Sequence, residues 1–186
     1  ADKAERPKMR MHAFAKIMYL RQICDSTEGW TKSEDGEGVK LGEIREAVKE
    51  AGDKMVVFSQ WVWMVNAIDR ELKKEGFNNL IIHGGTPKEC KMMRDVIKFD
   101  KYGEKILCEK CRYFNACNSR WKIQHIFNTS DSHKVLISSE AMKFGANLQR
   151  APYLCHADLP WNPATVKQRE GRIDRIGQKA DRVVII

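Results

Sequence analysis

No apolar run in this 186-residue chain approaches the roughly 18 residues that a membrane-spanning helix needs, and 31% of its residues are charged, so a soluble protein with no membrane partner is expected. The opening stretch ADKAERPKMR is charged throughout and lacks the apolar centre of a secretory signal. A reducing, cytoplasmic setting is therefore the default, or a nuclear one in a eukaryote. In that setting the six cysteines read as thiols or metal ligands rather than as a disulfide framework. Nothing in the chain matches G-x-x-x-x-G-K-[ST], the loop that cradles β- and γ-phosphates. No acidic box stands ready to hold Mg²⁺ either. The chain alone is not expected to hydrolyse a nucleoside triphosphate.

What is present begins with size and charge. The length is one domain's worth, by the usual roughly 100–200 residues, and a hydrophobic share of 42% is enough to bury a core. A net charge of +8 fits a nucleic-acid partner. It fits a merely basic soluble protein equally well.

Residues 8–24 (KMRMHAFAKIMYLRQIC) place Met11, Phe14, Ile17 or Met18, and Ile23 at helical spacing. The polar, glycine-rich 25–38 reads as a loop. VKLGEIREAVKEAG predicts a helix stopped by Gly52, and the segment from Trp61 predicts an amphipathic helix ending at Gly76. KMVVFSQ, NLIIHGG, KVLISS, APYLCHADL and RVVII predict five strands. Strands alternating with helices point to an α/β fold, a parallel sheet covered by helices on both faces. Ligands of such sheets sit beyond the carboxyl ends of the strands. SQW, HGGT, SSEAMKFG, DLPWNP and residues 168–178 follow those ends.

The stretch QREGRIDRIGQ (168–178) has no apolar face and is not expected to fill a core. Arg172 and Arg175, three residues apart, would point the same way from a helical turn, with Gln168 one turn earlier. Guanidinium forks suit phosphate oxygens. The plain alternative is a solvated helix with a surface pair such as Arg172–Asp174 or Glu170–Arg175.

KMVVFSQW, LIIHGGT, VLISSEAMKFGANLQ and LPWNPATVKQREGRIDRIGQ, in that order, resemble the second RecA-like lobe of superfamily-2 helicases. DLPWNP and DRIGQ, with the lead-in YLRQICDS, resemble the Snf2 (SWI2/SNF2) subgroup. The resemblance implies a helical lead-in and linker over 1–37 and a helicase C-terminal lobe over 38–186. It implies that Arg172 and Arg175 reach nucleotide phosphates, with Gln168 and Gly145 also at ATP. It places Ser139 where the family has a threonine on the DNA backbone. Met142 and Lys143 stand where the family has two glycines, and Lys143 could contact a phosphate. His83, Gly84, Gly85 and Thr86 offer amides and a hydroxyl to a phosphate, or simply form a tight turn. Trp161 and Asn162 could meet nucleic acid, or Trp161 could cover the end of the sheet. Ser59 and Gln60 follow a strand end, and Trp61 reads mainly as core.

Against the family pattern, about 90–119 is an insert rich in cysteine. Cys108, Cys111 and Cys117 form C-x₂-C-x₅-C, and Cys90 lies upstream. Four thiolates suit Zn²⁺ or a [4Fe–4S] cluster, with His125 or His83 as substitutes for Cys90. Unligated thiols are the plain reading. Cys24 and Cys155 fall in apolar segments and are expected to be buried.

Two readings follow. In the first, the chain is the second motor lobe of a Snf2-type ATPase and translocase on double-stranded DNA. ATP and Mg²⁺ would be held mainly by an N-terminal RecA-like lobe of the same protein, and the compact form favours a bacterial or phage source. In the second, it is a catalytically inert nucleic-acid- or protein-binding module that keeps a helicase-like fold.

Overall fold

The computed structural model describes residues 5–26, 38–88, 117–140 and 147–186. In chain order these form α1 (Glu5–Asp25), α2 (Val39–Ala51), β1 (Met55–Phe58), α3 (Val62–Lys74) and β2 (Asn79–Ile82). There follow α4 (Arg120–Thr129), β3 (Val135–Ser138), β4 (Tyr153–His156), α5 (Pro163–Glu170) and β5 (Val184–Ile185). The five strands form one sheet in the order β2-β3-β1-β4-β5, and every pair is parallel.

The central strand explains the layering. Met55, Val56, Val57 and Phe58 are all 0–1% exposed, because successive side chains of a strand point to opposite faces and both faces here are covered. Met55 and Val57 join Val135, Ile137 and Cys155 under Leu41, Ile44 and Val48 of α2 and Met64, Val65, Ile68 and Leu72 of α3. Val56 and Phe58 join Leu136, Leu154 and Ile82 against Phe127 of α4, with Leu148 and Ile173. Parallel pairing then sets Phe58 level with Ser138 and His156, so the segments after β1, β3 and β4 emerge side by side.

The helix stops lie where the glycines predict them. Gly52 takes φ 62° and Gly76 takes φ 81°, the left-handed region that a Cβ disfavours. At the opposite end of the sheet, Lys54 is 2% exposed. Its Nζ donates to the carbonyls of Ser130 at 2.6 Å and His133 at 2.7 Å, so a buried ammonium replaces its hydration with carbonyls at the end of α4.

The lead-in helix forms, but its predicted apolar stripe is not in the core. Met11, Phe14 and Ile23 are 73%, 56% and 41% exposed. Polar ties near its C-terminal end hold α1 to the body instead. Lys40 binds Asp25 at 2.5 Å, and Arg21 donates to the Leu159 carbonyl. Cys24, expected to be buried, is exposed, while Cys155 is buried as expected; burial pushes the Cys155 thiol up to about 11. No helix among the described residues is long and apolar enough to cross a membrane.

Candidate functional site

Asp158 is the centre of the loops at the carboxyl end of the sheet. It follows β4 and is 4% exposed. Ser59 Oγ, after β1, donates to Oδ2 at 2.5 Å. The Gln60 amide donates to both carboxylate oxygens at 2.9 Å, and Gln60 Nε2 reaches Oδ1 at 3.0 Å. A buried carboxylate is tolerable only when so satisfied. The result is a rigid join between two neighbouring strand ends.

Arg169 completes this join from α5. It is 2% exposed and is among the largest fully buried side chains. Its Nη1 donates to the Asp158 carbonyl at 2.8 Å and approaches His156 Nδ1 at 3.3 Å. Its Nε donates to Glu140 Oε1 at 3.0 Å, and Nη2 meets the same oxygen. The guanidinium also lies 5.4 Å from the centre of the Phe58 ring, within cation–π range. One buried cation thus ties the ends of β1, β3 and β4 to α5. Burial, and after it the Arg169 charge, holds the His156 imidazole below the usual histidine range.

The sequence reading of 168–178 needs correction on this point. The stretch does fill a core: Ile173 is 0% exposed, Arg169 2% and Arg172 9%. The helix also ends at Glu170, so Arg172 and Arg175 stand on the turns beyond it and not on one helical face. Arg172 is buried, whereas Arg175 and Gln168 are exposed. The turns are fastened by glutamines. Gln178 Nε2 donates to the carbonyls of Ala151 at 3.2 Å and Ile173 at 3.0 Å. Gln149 Nε2 donates to the Ile176 carbonyl at 2.5 Å, beside Gly177 at φ 100°. Burial, then the like charge of Arg175, pushes the Arg172 guanidinium below its usual range.

The other expected residues are placed as follows. In the turn after β2, Thr86 N donates to the His83 carbonyl at 2.9 Å, His83 N to Thr86 Oγ1 at 3.0 Å and Gly85 N to His83 Nδ1 at 3.0 Å. Arg120 grips the Thr86 carbonyl at 2.9 Å and the Gly84 carbonyl at 3.2 Å. The amides of Gly85 and Thr86 are thus engaged inside the turn itself. Ser139 is 5% exposed, and its amide donates to the Ile82 carbonyl at 2.9 Å. The Asn162 side chain caps α5, accepting from Ala164 N at 2.9 Å, with Pro163 opening the helix. Trp161 is 55% exposed but packs on α1, 6.0 Å from the Phe14 ring and 4.7 Å below the Arg21 guanidinium. Trp61 is half-buried against the core. Lys143 and Gly145 lie outside the described residues, as do Cys90, Cys108 and Cys111.

Among the described residues no three His, Cys, Asp or Glu side chains gather as a metal site. Of the four proposed thiolates only Cys117 is described, with its Sγ 3.2 Å from Ser119 Oγ. A cavity of about 1040 Å³ opens between α1, α2 and the β4–β5 edge. Arg172 and Arg175 do not line it.

Arg169, Asp158, Glu140 and His156 escaped the sequence reading. The available signal was Arg169 itself, a third arginine at the same three-residue spacing as Arg172 and Arg175, in a chain whose strand ends supply two carboxylates.

Residues 39–177 match the helicase conserved C-terminal domain. The chain is 28% identical over 143 residues to the uncharacterized ATP-dependent helicase YqhH of Bacillus subtilis (strain 168), covering 76% of this chain and 20% of that protein. It is 28% identical over 137 residues to transcription termination factor 2 of Drosophila melanogaster, covering 74% of this chain and 10% of that one. The structure of the Sulfolobus solfataricus SWI2/SNF2 ATPase core in complex with dsDNA matches with a TM-score of 0.61 at 27% identity, covering 92% of this chain and 31% of that chain. The chain therefore spans a fifth or less of the length of these curated relatives. With its parallel sheet and its strand-end loops, the chain belongs to the helicase conserved C-terminal domain family, as the C-terminal lobe of a Snf2-type helicase.

Proposed function

We propose that this lobe is the second motor lobe of a Snf2-type, DNA-dependent ATPase and translocase. Arg172 and Arg175 act as arginine fingers on ATP bound by an N-terminal RecA-like lobe of the same protein. The observation that carries the reading is the buried Arg172 held beside the cationic Arg175 at the carboxyl end of the sheet. Arginines so placed neutralise charge that develops on a transferred phosphoryl group.

The donor set fits phosphate and does not fit Mg²⁺. That ion takes carboxylates and waters, and Asp158 is already committed to Ser59, Gln60 and Arg169. Mg²⁺ therefore belongs with the opposite lobe, where it would shield the β- and γ-phosphates. This lobe would meet the nucleotide through Gln168, Arg172, Arg175 and Gly145.

For the DNA side, the reading assigns Ser139, Lys143, the His83–Thr86 turn and the Trp161–Asn162 loop to double-stranded DNA. The net charge of +8 and the relative that was solved with dsDNA support it. Contacts of this kind, dominated by phosphate, weaken steeply with salt. A structural metal at Cys90, Cys108, Cys111 and Cys117 belongs to the same reading and rests on their spacing in the sequence.

The internally closed His83–Thr86 turn favours the rival, an inert binding module. ATP turnover separates the two. The intact protein should hydrolyse ATP in a manner stimulated by double-stranded DNA, and this lobe alone should not. An intact protein with no turnover, with or without DNA, would leave the inert module standing.

A further inference from the structure

Two separate ties join Glu140, and Leu148 with Gln149, to α5 and the arginine-bearing turns after it. In the first, Glu140 Oε1 accepts from Arg169 Nε at 3.0 Å and also meets Nη2. In the second, Leu148 N donates to the Arg172 carbonyl at 3.1 Å, and Gln149 Nε2 reaches the Ile176 carbonyl at 2.5 Å. Glu140 directly follows Ser139, the residue that the reading above assigns to the DNA backbone. Arg169 lies three residues before Arg172, and Arg172 N donates to the Arg169 carbonyl at 3.0 Å.

We infer that Arg169, through Glu140, is the positioning residue that transmits DNA contact to the arginine fingers. The inference rests on the functional reading above and adds its internal linkage. Arg169 touches neither nucleotide nor DNA in that reading. Its role follows from being 2% exposed while joining the ends of three strands to one turn. A buried guanidinium has few alternative places to go, because any rotamer that leaves Glu140 strands a charge. Displacement at the Ser139–Glu140 step is therefore carried to the backbone of Arg172 as a shift of one body. Lysine could not substitute, since a point ammonium cannot serve Glu140, the Asp158 carbonyl and His156 with a planar fork.

Glu140 is the side to alter, because its side chain is 34% exposed and glutamine keeps an oxygen that can accept from the Arg169 guanidinium. In the intact ATPase, turnover is measured with and without double-stranded DNA, together with DNA affinity and KM for ATP. E140Q should leave turnover without DNA and DNA affinity unchanged, and should lower the stimulation by DNA about tenfold, within the usual range of coupling between sites. E140D, which keeps the charge, should recover most of the stimulation. R169K should lose stimulation as E140Q does, and the double variant should lose no more than either alone. Full stimulation in a folded E140Q protein overturns the inference. So does a loss confined to DNA affinity. A wild-type protein that DNA does not stimulate would instead overturn the functional reading, so the two failures are separable.

Discussion

Gln60 and Asp158 lie 98 residues apart in sequence, yet the Gln60 amide sits 2.9 Å from both oxygens of the Asp158 carboxylate. The Gln60 side chain returns to the same carboxylate at 3.0 Å. The bond joins the ends of β1 and β4, neighbouring strands whose onward connections run to opposite sides of the sheet. Open α/β sheets place their ligands at such a point.

Removing this carboxylate should be costly. D158A leaves Arg169 without its nearest buried negative charge and Ser59 without its acceptor. Losing one partner of a buried pair costs about 3–5 kcal/mol. D158N keeps an acceptor and should cost less, about 1–3 kcal/mol. Urea unfolding midpoints check both values. An unchanged midpoint for D158A would refute the bracing role.

His156 should make stability depend on pH. Burial and the Arg169 charge keep its folded pKa below the unfolded one, which is about 6.5. Below that value the unfolded chain binds a proton that the folded chain refuses, so stability falls as pH drops towards the folded pKa. In H156Q this part of the slope should vanish. Unfolding midpoints at about pH 7.5 and 5.5, compared between wild type and variant, check it. Parallel profiles would contradict the assignment.

Trp161 should hold α1 in place. Phe14 and Arg21 both rest on its ring, and contacts of this kind contribute about 0.5–1 kcal/mol at exposed sites. W161A should therefore speed amide exchange in α1 while leaving β1 and β3 protected. If exchange in α1 is unchanged, Trp161 does not hold the helix. A parallel loss of DNA affinity would additionally place Trp161 on DNA.

The cysteine insert makes its own prediction. Protein purified under anaerobic conditions should carry one equivalent of metal per chain. Zinc would be colourless, and a [4Fe–4S] cluster brown. Replacing Cys108 and Cys111 with serine should abolish binding. Metal-free protein from such a preparation would reduce the cysteines to thiols.

Much of the frame was legible in the sequence, for physical reasons. The runs MVVF and VLIS announce strands because both faces of a parallel sheet are dry. Gly52 and Gly76 mark helix ends because their left-handed backbone excludes most other residues. Periodicity failed at α1, since helical spacing says that a stripe exists and not that anything covers it. It failed again at 168–178, where Arg169 and Ile173 turned out to be buried. Burial of an arginine depends on Glu140 and Asp158, which lie 29 and 11 residues away and meet it only when β3 and β4 align. Side-chain capping by Asn162 was legible in principle from Asn-Pro before a helix.

The most direct test of the central claim is ATP turnover by R172A and R175A variants of the intact protein, at saturating double-stranded DNA. Each should lose about 10³-fold or more in rate, with DNA affinity within about twofold of wild type, since the proposed DNA contacts fall on other residues. Turnover near the wild-type rate in the double variant would contradict the assignment of these arginines to the nucleotide.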